Sequence, residues 1–165
     1  MYNLSEKIMG MNSNTWERHA NPWSVYSRFT ALPLLCLSIW SREWLGMTAL
    51  FPVILTIVWI WLNPRLFKAP KTLDSWAAKG VLGERLFLQR KSSPIPSHHV
   101  RAAHRLTALS FLGVCLMGYG LWQLDFWATL CGVITSMGAK TWFFDRMVWL
   151  YEDVKQHPQS DPESL

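Results

Sequence analysis

Cysteine is scarce in this chain and badly placed for a framework. Cys36, Cys115 and Cys131 all fall inside apolar segments, and three is an odd number. They read as small buried hydrophobes rather than disulfide partners. No Cys-x-x-Cys pair exists, which argues against a thiolate metal site. The common catalytic signatures are missing too: there is no Gly-x-Ser-x-Gly, no His-Glu-x-x-His and no phosphate-binding glycine loop. Residues 1–24 hold no apolar run or small-residue cleavage site of the kind a signal peptide needs, so the first apolar segment is expected to stay as a spanning helix.

What the chain has is apolar and aromatic mass in blocks. Half of its 165 residues are hydrophobic, and it carries 11 Trp, 8 Phe and 4 Tyr. Trp favours sites where one end of the ring is dry and the other wet, as at a bilayer interface. Four apolar segments stand out, at about 25–40, 45–62, 106–124 and 126–146. A helix needs roughly 20 residues to cross the hydrocarbon core, and these approach or meet that length. Ser41-Arg42-Glu43 joins the first two, and little more than Asp125 joins the last two, so each pair must be antiparallel. The expectation is an all-α, four-helix transmembrane bundle made of two helical hairpins. Residues 1–155 form one transmembrane domain, and 156–165 form a disordered tail. Between the hairpins, residues 63–105 form an interfacial connection. There Asp74 can cap a short helix, Gly80 and Gly83 weaken it, and Ser97 can cap the third helix.

Charge sets the orientation. Of the 16 Lys and Arg residues, only Arg42 lies in the two short links. The other 15 flank the opposite ends of the segments. Basic residues accumulate on the cytoplasmic side, so both termini and the connection are expected there, in a cell (inner) membrane. The net charge of +5 is thereby explained by orientation, and no nucleic-acid partner is needed. The partners expected are the lipid bilayer and anionic lipid headgroups. Pro33 and Pro52 fall near the middle of their spans, where proline bends a helix. Ala128, Gly132 and Ser136, with Gly113 and Gly120, form the small-residue pattern of close helix contact.

Polar residues gather at the cytoplasmic ends. Arg18, His19, Asn21, Asn63, Arg65, His104, Lys140 and Asp145 are candidates for one polar rim site. Lys140 is the most unusual of these, since a charge at an apolar helix face is a functional candidate by default. Asn21-Pro22 and Asn63-Pro64 break the backbone at matching depths, so at least one Asn is expected to touch a charged residue of the third or fourth segment. On the third helix His98, Arg101 and Arg105 share one face and could bind a lipid headgroup. No metal or other cofactor is expected. The neighbours His98 and His99 point about 100° apart on a helix, and no span carries a histidine for haem.

Four stretches together resemble a family of short prokaryotic membrane proteins that carries only a domain-of-unknown-function label. They are Arg18-His19-Ala20-Asn21-Pro22-Trp23-Ser24-Val25, Leu62-Asn63-Pro64-Arg65-Leu66-Phe67, Gly80-Val81-Leu82-Gly83-Glu84-Arg85 and Trp142-Phe143-Phe144-Asp145-Arg146-Met147. The resemblance covers roughly residues 16–153. It implies a multi-pass membrane protein and supplies no activity, cofactor or catalytic residue. Two classes of function stay open: a non-catalytic membrane subunit or lipid-contacting module, and a membrane enzyme or carrier with its site at the polar rim.

Overall fold

The computed structural model describes residues 18–70 and 72–156, and within them the chain is helical with no strand. The expected tail lies outside the described residues, apart from Gln156. The first half holds α1 (Pro22–Phe29), α2 (Ala31–Trp40), α3 (Arg42–Leu45), a 3-10 turn (Gly46–Ala49) and α4 (Leu50–Leu66). Asn21 caps α1, its side-chain oxygen accepting the Trp23 amide at 2.9 Å, and Pro22 takes the first helical position, where no N–H is missed. α1 stops at Phe29, the carbonyl that Pro33 can neither bond nor tolerate four residues back. The expected bend is thus a break at Thr30. Pro52 is not in mid-helix as expected: α4 begins only at Leu50, after the 3-10 turn, so Pro52 sits in a first turn, where amides have no intrahelical acceptor.

Gly46 carries φ 54° and ψ −130°, a conformation open to glycine at little cost, and the chain reverses there. The reversal is fixed by bonds between early and late residues. Ser24 donates to Asn63 at 3.0 Å, Asn63 donates to Ser27 at 2.7 Å, and the Ser38 and Thr56 hydroxyls lie 3.1 Å apart. A straight 42-residue helix would hold Ser24 and Asn63 about 60 Å apart.

The second half holds α5 (Trp76–Leu88), α6 (Ser97–Gln123) and α7 (Phe126–Gln156). α6 and α7 form a long antiparallel hairpin turned at Leu124, which adopts the left-handed conformation (φ 56°). Asp125 then donates its amide to Gly120 and accepts the Ala128 amide at 3.0 Å, ending one helix and starting the next. The small residues set the spacing. A Cβ on Gly113 would stand 2.5 Å from the Ser136 amide nitrogen, and one on Gly132 would stand 2.3 Å from that of Met117.

The connection is more than an interfacial strip. Helix α5 is capped by Ser75, one residue after the expected Asp74, with the Ser75 hydroxyl accepting the Ala78 amide at 3.2 Å. Its glycines are contact points. A Cβ on Gly83 would fall 1.8 Å from the Met147 carbonyl oxygen, and one on Gly80 would fall 2.2 Å from the Phe144 ring. The entropic cost of glycine in a helix is accepted here because nothing larger fits. Ala77, Ala78 and Val81 bury themselves against Ala20, Val25 and Phe144. Phe87 joins Ala103, Phe143, Met147 and Leu150. At the N-terminus of α6, Pro96 rather than Ser97 is the capping residue, and no side chain caps that end.

Two helical stretches among the described residues are long and apolar enough to cross a membrane, 22–63 and 97–123. Only 11% and 28% of their most apolar windows are buried, far from the condition of a core helix in a soluble protein. α7, with Lys140, Asp145 and Arg146 inside its 31 residues, is not one of them. Leu37, Phe51, Phe111, Leu112, Trp122 and Ile134 are among the residues facing outward. Cys115 and Cys131 face outward with them, and only Cys36 is buried, with its thiol 3.3 Å from the Met117 sulfur. Their segments lack neighbours on those faces, so the expectation of three buried cysteines fails for two.

Candidate functional site

Four segments bring His19, Arg28, Glu84 and Lys140 around one open pocket of about 220 Å³, walled by Val25, Phe29 and Phe144. Arg28 lies one turn beyond Ser24 on α1. Its Nε donates to the Ser24 carbonyl at 2.9 Å, and its Nη2 to the His19 carbonyl at 3.1 Å. Nη1 rests against the His19 ring nitrogens. The guanidinium therefore ties the residues before α1 to the helix while facing the pocket. Glu84 follows Gly83, whose contact with the Met147 backbone fixes how close α5 comes to α7. At that separation Lys140 Nζ lies 3.8 Å from Glu84 Oε1 and 4.6 Å from the Phe143 ring centroid. The Lys140 side chain is 58% exposed, so this pair is weakly held. A second cavity of about 260 Å³, lined by Thr107, Ser110 and Phe111, opens on the other side of the pair. Glu84 and Lys140 thus form a partition between two cavities.

Burial, then Arg28, then Lys140 push the His19 pKa down from the ordinary histidine value to about 3. Its ring is neutral near pH 7 and can accept from Arg28. Among the described residues the pocket then presents two cations against one carboxylate.

The other rim residues do not form one cluster. Asn63 is fully buried, but its partners are Ser24 and Ser27 of α1. Asn21 donates to the Lys68 carbonyl at 2.8 Å. Neither Asn contacts a charged side chain of α6 or α7, contrary to expectation. Each satisfies hydroxyls and carbonyls where α1 meets the end of α4. Arg18 donates to the Arg65 carbonyl at 3.3 Å in the same lock, and the Arg65 guanidinium lies over the Trp61 ring. Asp145 accepts from Trp76 Nε1 at 3.0 Å, a clasp between α7 and α5. His104 is exposed, edge-on to Phe87. Arg101 and Arg105 are exposed on α6, as is His98.

His98 and His99 were expected to diverge. Their ring centroids lie 4.1 Å apart, because side-chain torsions can bring together rings whose Cβ bonds point apart. His99 Nε2 lies 2.7 Å from Asp153 Oδ2.

Of the pocket residues, Arg28 and Glu84 escaped sequence reasoning. Arg28 had a signal, as the one charge inside the first apolar segment. Glu84 had a weaker one: it follows two glycines spaced for one helix face, in a stretch that reads as too sparse for a motif.

The chain belongs to DUF6653, a family of unknown function. The family's sequence profile matches residues 3–164, nearly the whole chain. No curated protein and no solved structure matches it.

Proposed function

We propose that this member of DUF6653 is a four-span integral membrane protein of the lipid-contacting, non-catalytic kind, with its α5 side cytoplasmic. Its His19–Arg28–Glu84–Lys140 pocket receives the phosphate of an anionic lipid. The observation that carries this reading is the place of a net-positive, open pocket at the border between an outward-facing apolar region and a buried polar-capped one. The Trp40 and Phe126 rings meet at the far end of the bundle. From there Arg28 and Lys140 lie about 18 and 21 Å along their helices, at one depth. Lysine and arginine reach from such a depth toward headgroups. Exposed tryptophans lie toward both ends: Trp44, Trp122 and Trp127 at the links, and Trp23 and Trp149 at the other end.

Two measurements test the two halves of the reading separately. Reporter fusions after Lys155 and beside Arg42 should report opposite sides of the membrane, and equal signals would end the four-span model. Native mass spectrometry of protein purified from membranes should show a retained phosphatidylglycerol-class lipid. Lys140→Gln should lose it, and Glu84→Gln, which removes the competing negative charge, should hold it more tightly. Equal retention in both variants would remove the pocket from the account and leave the topology standing.

A further inference from the structure

We infer that His98, His99 and Asp153 form a binding site for a divalent transition-metal ion, at the end of the molecule where α6 begins and α7 ends. One ligand atom from each of the three lies within 4.8 Å of the others. His99 is 1% exposed, and its Nδ1 is the single buried side-chain N or O atom among the described residues that has no hydrogen-bond partner. A buried polar atom without a partner calls for an explanation. Here the partner on the other nitrogen supplies one. The Asp153 carboxylate, 2.7 Å from Nε2, favours the proton on Nε2 and leaves the lone pair on Nδ1. A carboxylate that holds one imidazole nitrogen while the other faces a metal is a recurring arrangement at metal centres. His98, with its ring centroid 4.1 Å away, brings a second imidazole. The Asp153 side chain is 51% exposed and can rotate to complete the coordination or remain as the group that orients His99.

The donor set decides the class of metal. Two imidazoles with one carboxylate suit zinc, cobalt, nickel or ferrous iron, whereas magnesium and calcium want oxygen alone. A cavity of about 620 Å³ opens beside Asp153, lined also by Leu86, Pro94, Ile95 and Val154. Water or a small ligand could fill open coordination positions from there. This site is separate from the His19 pocket and depends neither on the lipid reading nor on the number of spans.

The test uses the full chain, untagged and stripped with a chelator in detergent, titrated with ZnCl₂ and separately with MgCl₂. Zinc should bind at one equivalent per chain and raise the unfolding temperature, and magnesium should do neither. Because His99→Ala opens a hole in the core, the variants are His98→Ala and Asp153→Asn, whose side chains are at least half exposed or outward-facing. Each should weaken zinc binding tenfold or more, and His98→Ala should leave the unfolding temperature of the metal-free protein unchanged, while in Asp153→Asn the amide oxygen still accepts from His99 Nε2. His104→Ala, exposed on the same helix but outside the cluster, should bind zinc like the unaltered chain. Absence of saturable binding would overturn the inference. So would equal loss in all three variants, or full binding in both His98→Ala and Asp153→Asn.

Discussion

The hairpin of α2 and α4 and the packed unit of α5 with the polar ends of α6 and α7 solve the same problem in opposite ways. In the first, Leu37, Phe51, Ile54 and Ile57 face outward, and the interior contacts are hydroxyl pairs such as Ser38 with Thr56. In the second, Ala77, Ala78, Phe87, Met147 and Leu150 are wholly enclosed, and ion pairs such as Lys79 with Glu152 lie outside. The second arrangement is an enclosed core, driven by removing apolar surface from water. In the first that force has little to act on, and hydrogen bonds and close packing hold the helices instead. Such a pattern is stable where the surroundings are as apolar as the side chains themselves. One chain thus carries two kinds of packing, an apolar face turned outward and an enclosed core, and the four-span proposal accounts for the first.

The sharpest way to break the second region is at Gly83. Gly83→Leu drives a side chain into the Met147 backbone, and backbone cannot step aside as a flexible side chain can. α5 should detach, with a loss above about 4 kcal/mol, comparable to the largest single-site effects. Near-complete loss of folded protein in detergent is expected. Gly118→Leu, where a Cβ meets open space, should fold normally.

A matched pair of phenylalanines sharpens the contrast itself. Phe87 is fully buried and Phe51 is mostly exposed. Phe87→Ala should cost about 3–5 kcal/mol, the usual range for an enclosed aromatic. Phe51→Ala removes little protein contact and should cost below about 0.5 kcal/mol in detergent. Equal costs in a denaturant titration followed by tryptophan fluorescence would mean that the apolar face is covered by protein. Within the first hairpin the comparable weak point is Asn63. Asn63→Leu leaves the buried Ser24 hydroxyl without its acceptor, while Ser27 still donates to the Trp23 carbonyl, at about 1–3 kcal/mol. The same titration measures it, and no loss would show that water replaces the amide.

Much of the helical frame was legible because period, length and charge act locally. The 126–151 stretch reads as one helix from its apolar run and mixed continuation, and the small residues at Gly113, Gly120, Gly132 and Ser136 read as a contact. The connection was less legible. Gly80 and Gly83 count against a helix by intrinsic propensity, and their value lies in what stands opposite them, Phe144 and Met147, more than sixty positions away. The rim failed for a related reason. Asn21, Asn63, Lys140 and Asp145 were expected on one rim, but sequence gives depth along a helix and not the angle around it. Asn63 turned to Ser24, Asp145 to Trp76 and Lys140 to Glu84. Asp153 could be found only by knowing that α7 stays helical past the last apolar residues and returns beside His99.

A pH-dependent effect is expected at the seam between the two regions, where His19 packs under Arg28. Burial and two nearby cations hold its pKa at about 3, against an ordinary histidine value near 6.5. In the unfolded chain the ring takes up a proton as pH falls through that ordinary value, while in the folded chain it does not. The unfolded state therefore binds more protons between the two values, so stability rises with pH there and is lost on acidification. The slope from this one group approaches about 1.4 kcal/mol per pH unit below the ordinary value and levels off only near the depressed one. Between pH 7 and pH 5.5 that amounts to roughly 1–2 kcal/mol. Other groups titrate at lower pH, so the comparison is with His19→Gln, which keeps an acceptor for Arg28 and cannot be protonated. The variant should show a shallower fall in unfolding temperature over this range, with Lys155→Met as a control that leaves the profile unchanged. If the two profiles of His19→Gln and the unaltered chain run parallel, the ring is solvated and the seam is open to water.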